Sequence, residues 1–305
     1  MTYRYCVDVM TVLTEPEWRA RQRAHVDRVR RWTQPHRERS LAKEKHPVHD
    51  FLFTYYSQRP GRLERWHPGL GFVLAGNASE FLAYKGYHRV DDGVTLDPAA
   101  CTEPRIRTAE FYLALLAATA SRPPRLNCFG LHEWAMVYRQ TPEQVRHFGW
   151  PLRLGHKGTD ELVESSQVRC GHFDAFRFFT PPARPRNTLQ PTRDGQVELE
   201  QPGCLHGNMD LYKAAYKLEP YVPSEVVADC FELAAQIREL DMKASPYDLS
   251  ELGYEPLPIE SAAGRAEYAR RQADFAERSK PLRHKLITCC RDLLRWQEAH
   301  RPAAP

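Results

Sequence analysis

The chain has 305 residues, a formal net charge of +4, and 42% hydrophobic against 27% charged residues. That length can bury a large core, and the composition excludes a disordered chain. No apolar run reaches about 18 residues, and the N-terminus lacks the basic-then-apolar layout of a secretion signal, so a cytoplasmic protein without membrane contact is expected. The eight cysteines (Cys6, Cys101, Cys128, Cys170, Cys204, Cys230, Cys289, Cys290) show no Cys-x-x-Cys pair and no zinc-finger spacing, which reads as buried, reduced thiols.

Thr14, as N-cap, and Pro16 open a helix from Glu15 to about Arg31. Trp18, His25, Val26, Val29 and Trp32 form an interrupted apolar stripe between arginines. The helix can therefore dock by one edge and show Arg19, Arg21, Arg23, Arg28, Arg30 and Arg31, either to DNA phosphates or to solvent. A charged linker follows (37–45). Residues 1–45 are thus read as a basic N-terminal helix and linker, and 46–305 as a single helical catalytic domain.

His46 to Tyr56 is the most aromatic stretch; Phe51 and Tyr55 are core residues or one side of a sandwich for a flat ring. Residues 72–96 fit a helix followed by a short hairpin. A core helix is expected over 103–120, and a short one from Pro142 through Phe148. Between them, the run from Leu126 to Arg139 predicts a helix over about 131–140 that is apolar nearly all round, with His132 and Glu133 its only charge-bearing members before Arg139. A carboxylate there is costly unless paired, hydrogen-bonded or protonated. Glu133 is therefore a site residue with His132 beside it, or half of a structural ion pair to Arg139 or to a distant arginine.

Residues 160–180 alternate polar with aromatic, predicting a strand on which His172 and Asp174 project together, apart from Phe173 and Phe179. A small β-element around 160–200 is therefore expected. Over 201–218 a helix would align His206, Asp210, Lys213 and Lys217 in one polar stripe, suited to holding phosphate or ordering a carboxylate, or to facing solvent. The helix after Pro223 has an apolar line that Asp241 ends. The tail from Ser261 to Trp296 reads as two helices broken at Pro281.

The chain carries no phosphate-binding glycine loop, no nucleophile elbow and no His-Glu-x-x-His. Carboxylates in apolar settings, nearby histidines and abundant aromatics suit two chemistries. One is base excision, in which a carboxylate stabilises the sugar cation or activates water. The other is a metal-dependent oxygenase or hydrolase of helical-bundle type. The segments Lys45–Tyr56, Phe129–Arg139, His172–Ala183 and Gly203–Lys213 resemble a family of roughly 300-residue actinobacterial proteins commonly labelled 3-methyladenine DNA glycosylase. The resemblance covers nearly the whole chain and implies cleavage of an N-glycosidic bond to a modified purine, in DNA or a nucleoside.

The expectation is a mainly α-helical glycosylase without a cofactor. Glu133 or Asp174 is the acid/base carboxylate, oriented by His132 and His172. Phe51, Tyr55, Trp134, Tyr138 and Phe176 contact the base, and Asp210, Lys213, Lys217 and Asp241 complete the substrate site. The alternatives are the metal-dependent enzyme and a non-catalytic nucleic-acid-binding protein.

Overall fold

In the computed structural model, which describes residues 10–145 and 149–300, α1 (Glu15–Ala42) starts where the sequence signals it. The Glu17 carboxylate accepts hydrogen bonds from the Thr14 backbone N–H (2.8 Å) and hydroxyl (2.7 Å). The helix continues past Pro35 to Ala42, well beyond its apolar stripe. Ion pairs hold this second half: Arg37 with Glu64, and both His36 and Arg39 with Asp50. Lys43, left-handed at φ 58°, ends it.

The arginines proposed to face DNA are largely engaged with carboxylates. Arg19 pairs with Glu15 and Glu80, Arg21 with Glu225, Arg28 with Asp229 and Glu232, and Arg31 with Glu232. Arg23 and Arg30 are exposed.

The remaining helices are α2 (Phe51–Tyr55), α3 (Pro60–Leu63), α4 (Glu103–Ala120), α5 (Leu131–Ala135), α6 (Gly155–Ser165), α7 (Phe173–Phe176), α8 (Gln196–Leu199), α9 (Leu205–Lys217), α10 (Ser224–Lys243) and α11 (Ala262–Ala299). With one small four-stranded sheet, the fold is mainly α. The sheet, β1 (Thr11–Leu13), β2 (Phe72–Leu74), β3 (Tyr87–Val90) and β4 (Gly93–Leu96), has the order β1-β2-β4-β3, with β1 parallel to β2 and the other pairs antiparallel. It includes the hairpin expected within 72–96, and none of its strands falls within 160–200.

That later region is helical among its described elements, with an isolated bridge between Val168 and Asn187. The polar–aromatic alternation was misleading because Phe173, Phe176 and Phe179 are also three apart, the spacing of one helical face. α5 is shorter than its apolar run, and α11 passes through the exposed Pro281 unbroken. A 3-10 turn spans Pro142–Gln144 and ends at the extended Val145; residues 146–148 of the helix expected through Phe148, like Cys6, lie outside the described residues.

Gly93 fixes the hairpin's place in the sheet. At φ +150°, a Cβ there would lie 2.1 Å from the Leu74 carbonyl oxygen, where no side-chain atom fits. Gly93→Ala is expected to lose roughly 2 kcal/mol or more in urea unfolding, whereas Gly149→Ala, which meets nothing within 4 Å, should change stability little.

The chain forms two compact units. The first comprises the residues up to Leu116, Leu211–Glu232 and those from Leu282 onward. In it, Trp18 is fully buried, donates its indole N–H to the Ala75 carbonyl (3.0 Å) and meets Phe81 edge-on. Phe51 and Tyr55 stack on each other at 4.9 Å, and half-buried Lys213 and exposed Lys217 also belong here. The second unit comprises Ala117–Asp210 and Leu233–Pro281. Its core includes Trp134, Val163, Ile237 and Tyr268. Among the described residues no helix is long and apolar enough to cross a membrane.

Candidate metal centre

The second unit buries an unusual concentration of ionisable groups, and each reaches it from a locally determined turn. Gly130, left-handed at φ +71°, starts α5; a Cβ there would press on the Tyr268 ring (3.3 Å) and Ala244 (3.4 Å). The Trp134 indole N–H donates to the Ala244 carbonyl at 2.9 Å, fixing α5 against the end of α10. His132 and Glu133 thereby face Arg238 and Asp241, which lie one turn apart on α10. His206 and Asp210, likewise one turn apart, come from α9.

His132, Glu133, His206 and Asp241 each offer a ligand atom, and the four atoms lie within 4.8 Å of one another. His132 Nε2 is 2.8 Å from Asp241 Oδ1. Arg238 Nη1 donates to Glu133 Oε1 (3.0 Å) and Asp241 Oδ2 (3.3 Å). The distant arginine that a structural reading of Glu133 required is thus Arg238; Arg139 pairs with Glu164 instead.

Burial opposes every charge here, and the neighbours decide which survive. Against burial, the Asp241 carboxylate lifts His132 well above its ordinary value. Asp241 is lowered despite complete burial, chiefly by His132. Burial raises Glu133, with Arg238 opposing. His206 is pushed down to about 3 by burial and by His132 beside it, leaving a neutral imidazole with a lone pair to offer.

His172 lies against the same group, its ring 5.4 Å from that of His206, whose other neighbour is the His132 ring at 4.5 Å. It stands at the N-cap position of α7, so it does not share a strand face with Asp174. Asp174 instead faces Arg177 (3.2 Å) and Arg193 (3.9 Å). His172 Nε2 points to Asp210 Oδ2 (3.4 Å) and Glu200 Oε2 (3.8 Å), inside ion-pair reach but without hydrogen-bond geometry.

A cavity of about 30 Å³ opens beside the cluster, lined among others by Cys128, His132, Cys170, His172, Cys204 and His206. It has room for one or two waters. Cys128 Sγ is 3.4 Å from His132 Nδ1, and burial pushes the Cys170 and Cys204 thiols up, away from thiolate chemistry.

Of the residues singled out from the sequence, His132, Glu133, His172, Asp210 and Asp241 come together. Trp134 is committed to Ala244, Tyr138 bonds Glu164 (2.6 Å), and Phe176 packs on Phe179 (5.2 Å), so none of these three lines the cavity. Arg238 and Glu200 escaped sequence reading, the cysteines were read only as buried, reduced thiols, and His206 was seen only as part of a stripe. The detectable signals were short: Arg238–Asp241 at i, i+3, and His206–Asp210 at i, i+4.

No family model, curated protein or solved structure matches this chain.

Proposed function

We propose that the protein is a metal-dependent hydrolase whose ion is held by His132, Glu133, His206 and Asp241. The observation that carries this reading is the convergence of two imidazoles and two carboxylates, fully buried, beside a cavity of water size. That donor set suits zinc, iron or manganese. Arg238 takes one oxygen of each carboxylate, the hydrogen bonding outside the ligand set that orients such groups. Held by these four residues, such an ion would supply a water of lowered pKa, a nucleophile at neutral pH.

Binding must displace the proton that Asp241 holds on His132. Zinc titration in weak buffer should therefore release about one proton per ion, and affinity should rise roughly tenfold per pH unit until His132 deprotonates. A pH-independent affinity would remove His132 from the ligand set.

The His132–Asp241 pair also favours a second reading, base excision. A protonated His132 is a general acid, and Glu133 or Asp241 could stabilise the sugar cation. A purine exceeds the 30 Å³ cavity, so this reading requires the cavity to open. Mass-spectrometric detection of bases released from N-methylated DNA and modified nucleosides separates the two. Release by metal-stripped protein, lost in Glu133→Gln, would favour excision over the metalloenzyme.

A further inference from the structure

We infer that His172, Glu200 and Asp210 form a second transition-metal position next to the first, making the centre binuclear. This rests on the reading that His132, Glu133, His206 and Asp241 hold an ion. The observation that carries it is His172. The residue is 1% exposed, yet neither ring nitrogen has a hydrogen-bond partner. A buried imidazole normally satisfies at least one nitrogen, and an orphaned one calls for an explanation.

Geometry supplies one. Nε2 stands 3.4 Å from Asp210 Oδ2 and 3.8 Å from Glu200 Oε2. Both lie inside ion-pair reach without hydrogen-bond geometry. Ligands at about 2.0–2.1 Å from one ion are spaced by about 3.0–3.4 Å along the edges of an octahedron or tetrahedron, the spacing that His172 Nε2 and Asp210 Oδ2 already have.

The surroundings fit a fixed ligand set. The Glu200 carboxylate accepts from Gln196 Nε2 (3.1 Å), which orients it as outer hydrogen bonds orient metal ligands. Gly207 leaves Glu200 its place, since a Cβ there would meet the Glu200 carboxylate at 3.3 Å. Asp210 lies one helical turn after His206, so α9 gives one residue to each position, and the His206 ring lies beside both His132 and His172. Ions held by these two ligand sets would supply Lewis-acid activation for both the attacking and the leaving oxygen of an ester. The substrate class this favours is a phosphate or carboxylate ester.

The test is equilibrium dialysis of the metal-stripped full chain against Mn²⁺, with bound metal counted by mass spectrometry and the bound ions examined by electron paramagnetic resonance. Two ions per chain with an exchange-coupled spectrum are expected. His172→Gln should retain one ion and show the spectrum of isolated Mn²⁺, and Asp210→Asn, a gentler change, should do the same if His172→Gln fails to fold. One ion in the natural chain, lost in His206→Gln but kept in His172→Gln, would overturn the second position and leave the first intact. Two uncoupled ions would also overturn it. No bound metal under zinc, iron or manganese would overturn both readings.

Discussion

Asp241→Ala is expected to cost about 3–5 kcal/mol in urea unfolding, the range for removing one partner of a buried ion pair, and to abolish metal binding. The magnitude follows from what remains: His132 and Arg238, 2% and 1% exposed, both facing the missing carboxylate. Asp241→Asn should be milder, because an amide oxygen can still accept from one of them. The pH dependence has two sides. Asp241 is depressed in the folded chain, so its contribution is present above its unfolded value of 3.8 and lost as pH falls through the lower folded one. His132 is raised, so its contribution is full below 6.5 and lost as pH rises through the higher folded value. Stability assigned to the pair should form a plateau between pH 3.8 and 6.5 and decline on either side, a shape missing in Asp241→Ala. Parallel pH–stability curves for the two proteins would contradict the account of the pair.

Glu219→Gln should stabilise the protein in alkali and do nothing in acid. Glu219 lines a cavity of about 240 Å³ in the first unit with Arg62, Arg65, Lys85 and Arg105. Despite those cations, burial pushes its carboxyl up to about 8 from 4.5. Between those two values the unfolded chain ionises and the folded chain does not, so the folded state is penalised progressively as pH rises. Above pH 8 the penalty approaches roughly 5 kcal/mol at most. Glutamine removes the ionisation and can keep the 3.1 Å hydrogen bond from Gln58. Urea unfolding at pH 4 and pH 9 measures this directly; equal gains at both would show that ionisation is not the cause.

How much of this was legible in the sequence depended on how local each signal was. Glu133 stood out because a carboxylate in an apolar run must be answered by something, and Asp241 because it ends an apolar line. Both are buried in the centre. What answers Glu133 is Arg238, 105 residues away, and no local pattern could pair them. His172 was noticed for the wrong geometry. Polar–aromatic alternation predicts a strand there, whereas Phe173 and Phe176, three apart, span the single turn of α7 that sets His172 at its start. The sheet went largely unread because β1 and β2 have three residues each, too few for alternation to register. The basic arginines suggested DNA because their partners Glu80, Glu225, Asp229 and Glu232 lie on distant elements.

The most direct test of the central claim is calorimetric titration of the metal-stripped chain with Zn²⁺ at pH 7.5, beside His206→Gln. His206 is the ligand least entangled in the Arg238 network, since burial keeps it neutral and no ion pair depends on it. Saturable binding by the natural chain, abolished or weakened by orders of magnitude in a folded His206→Gln protein, is the predicted result. No binding, or binding indifferent to His206, would contradict a metal centre and leave the cluster as a buried ion network that holds the second unit together.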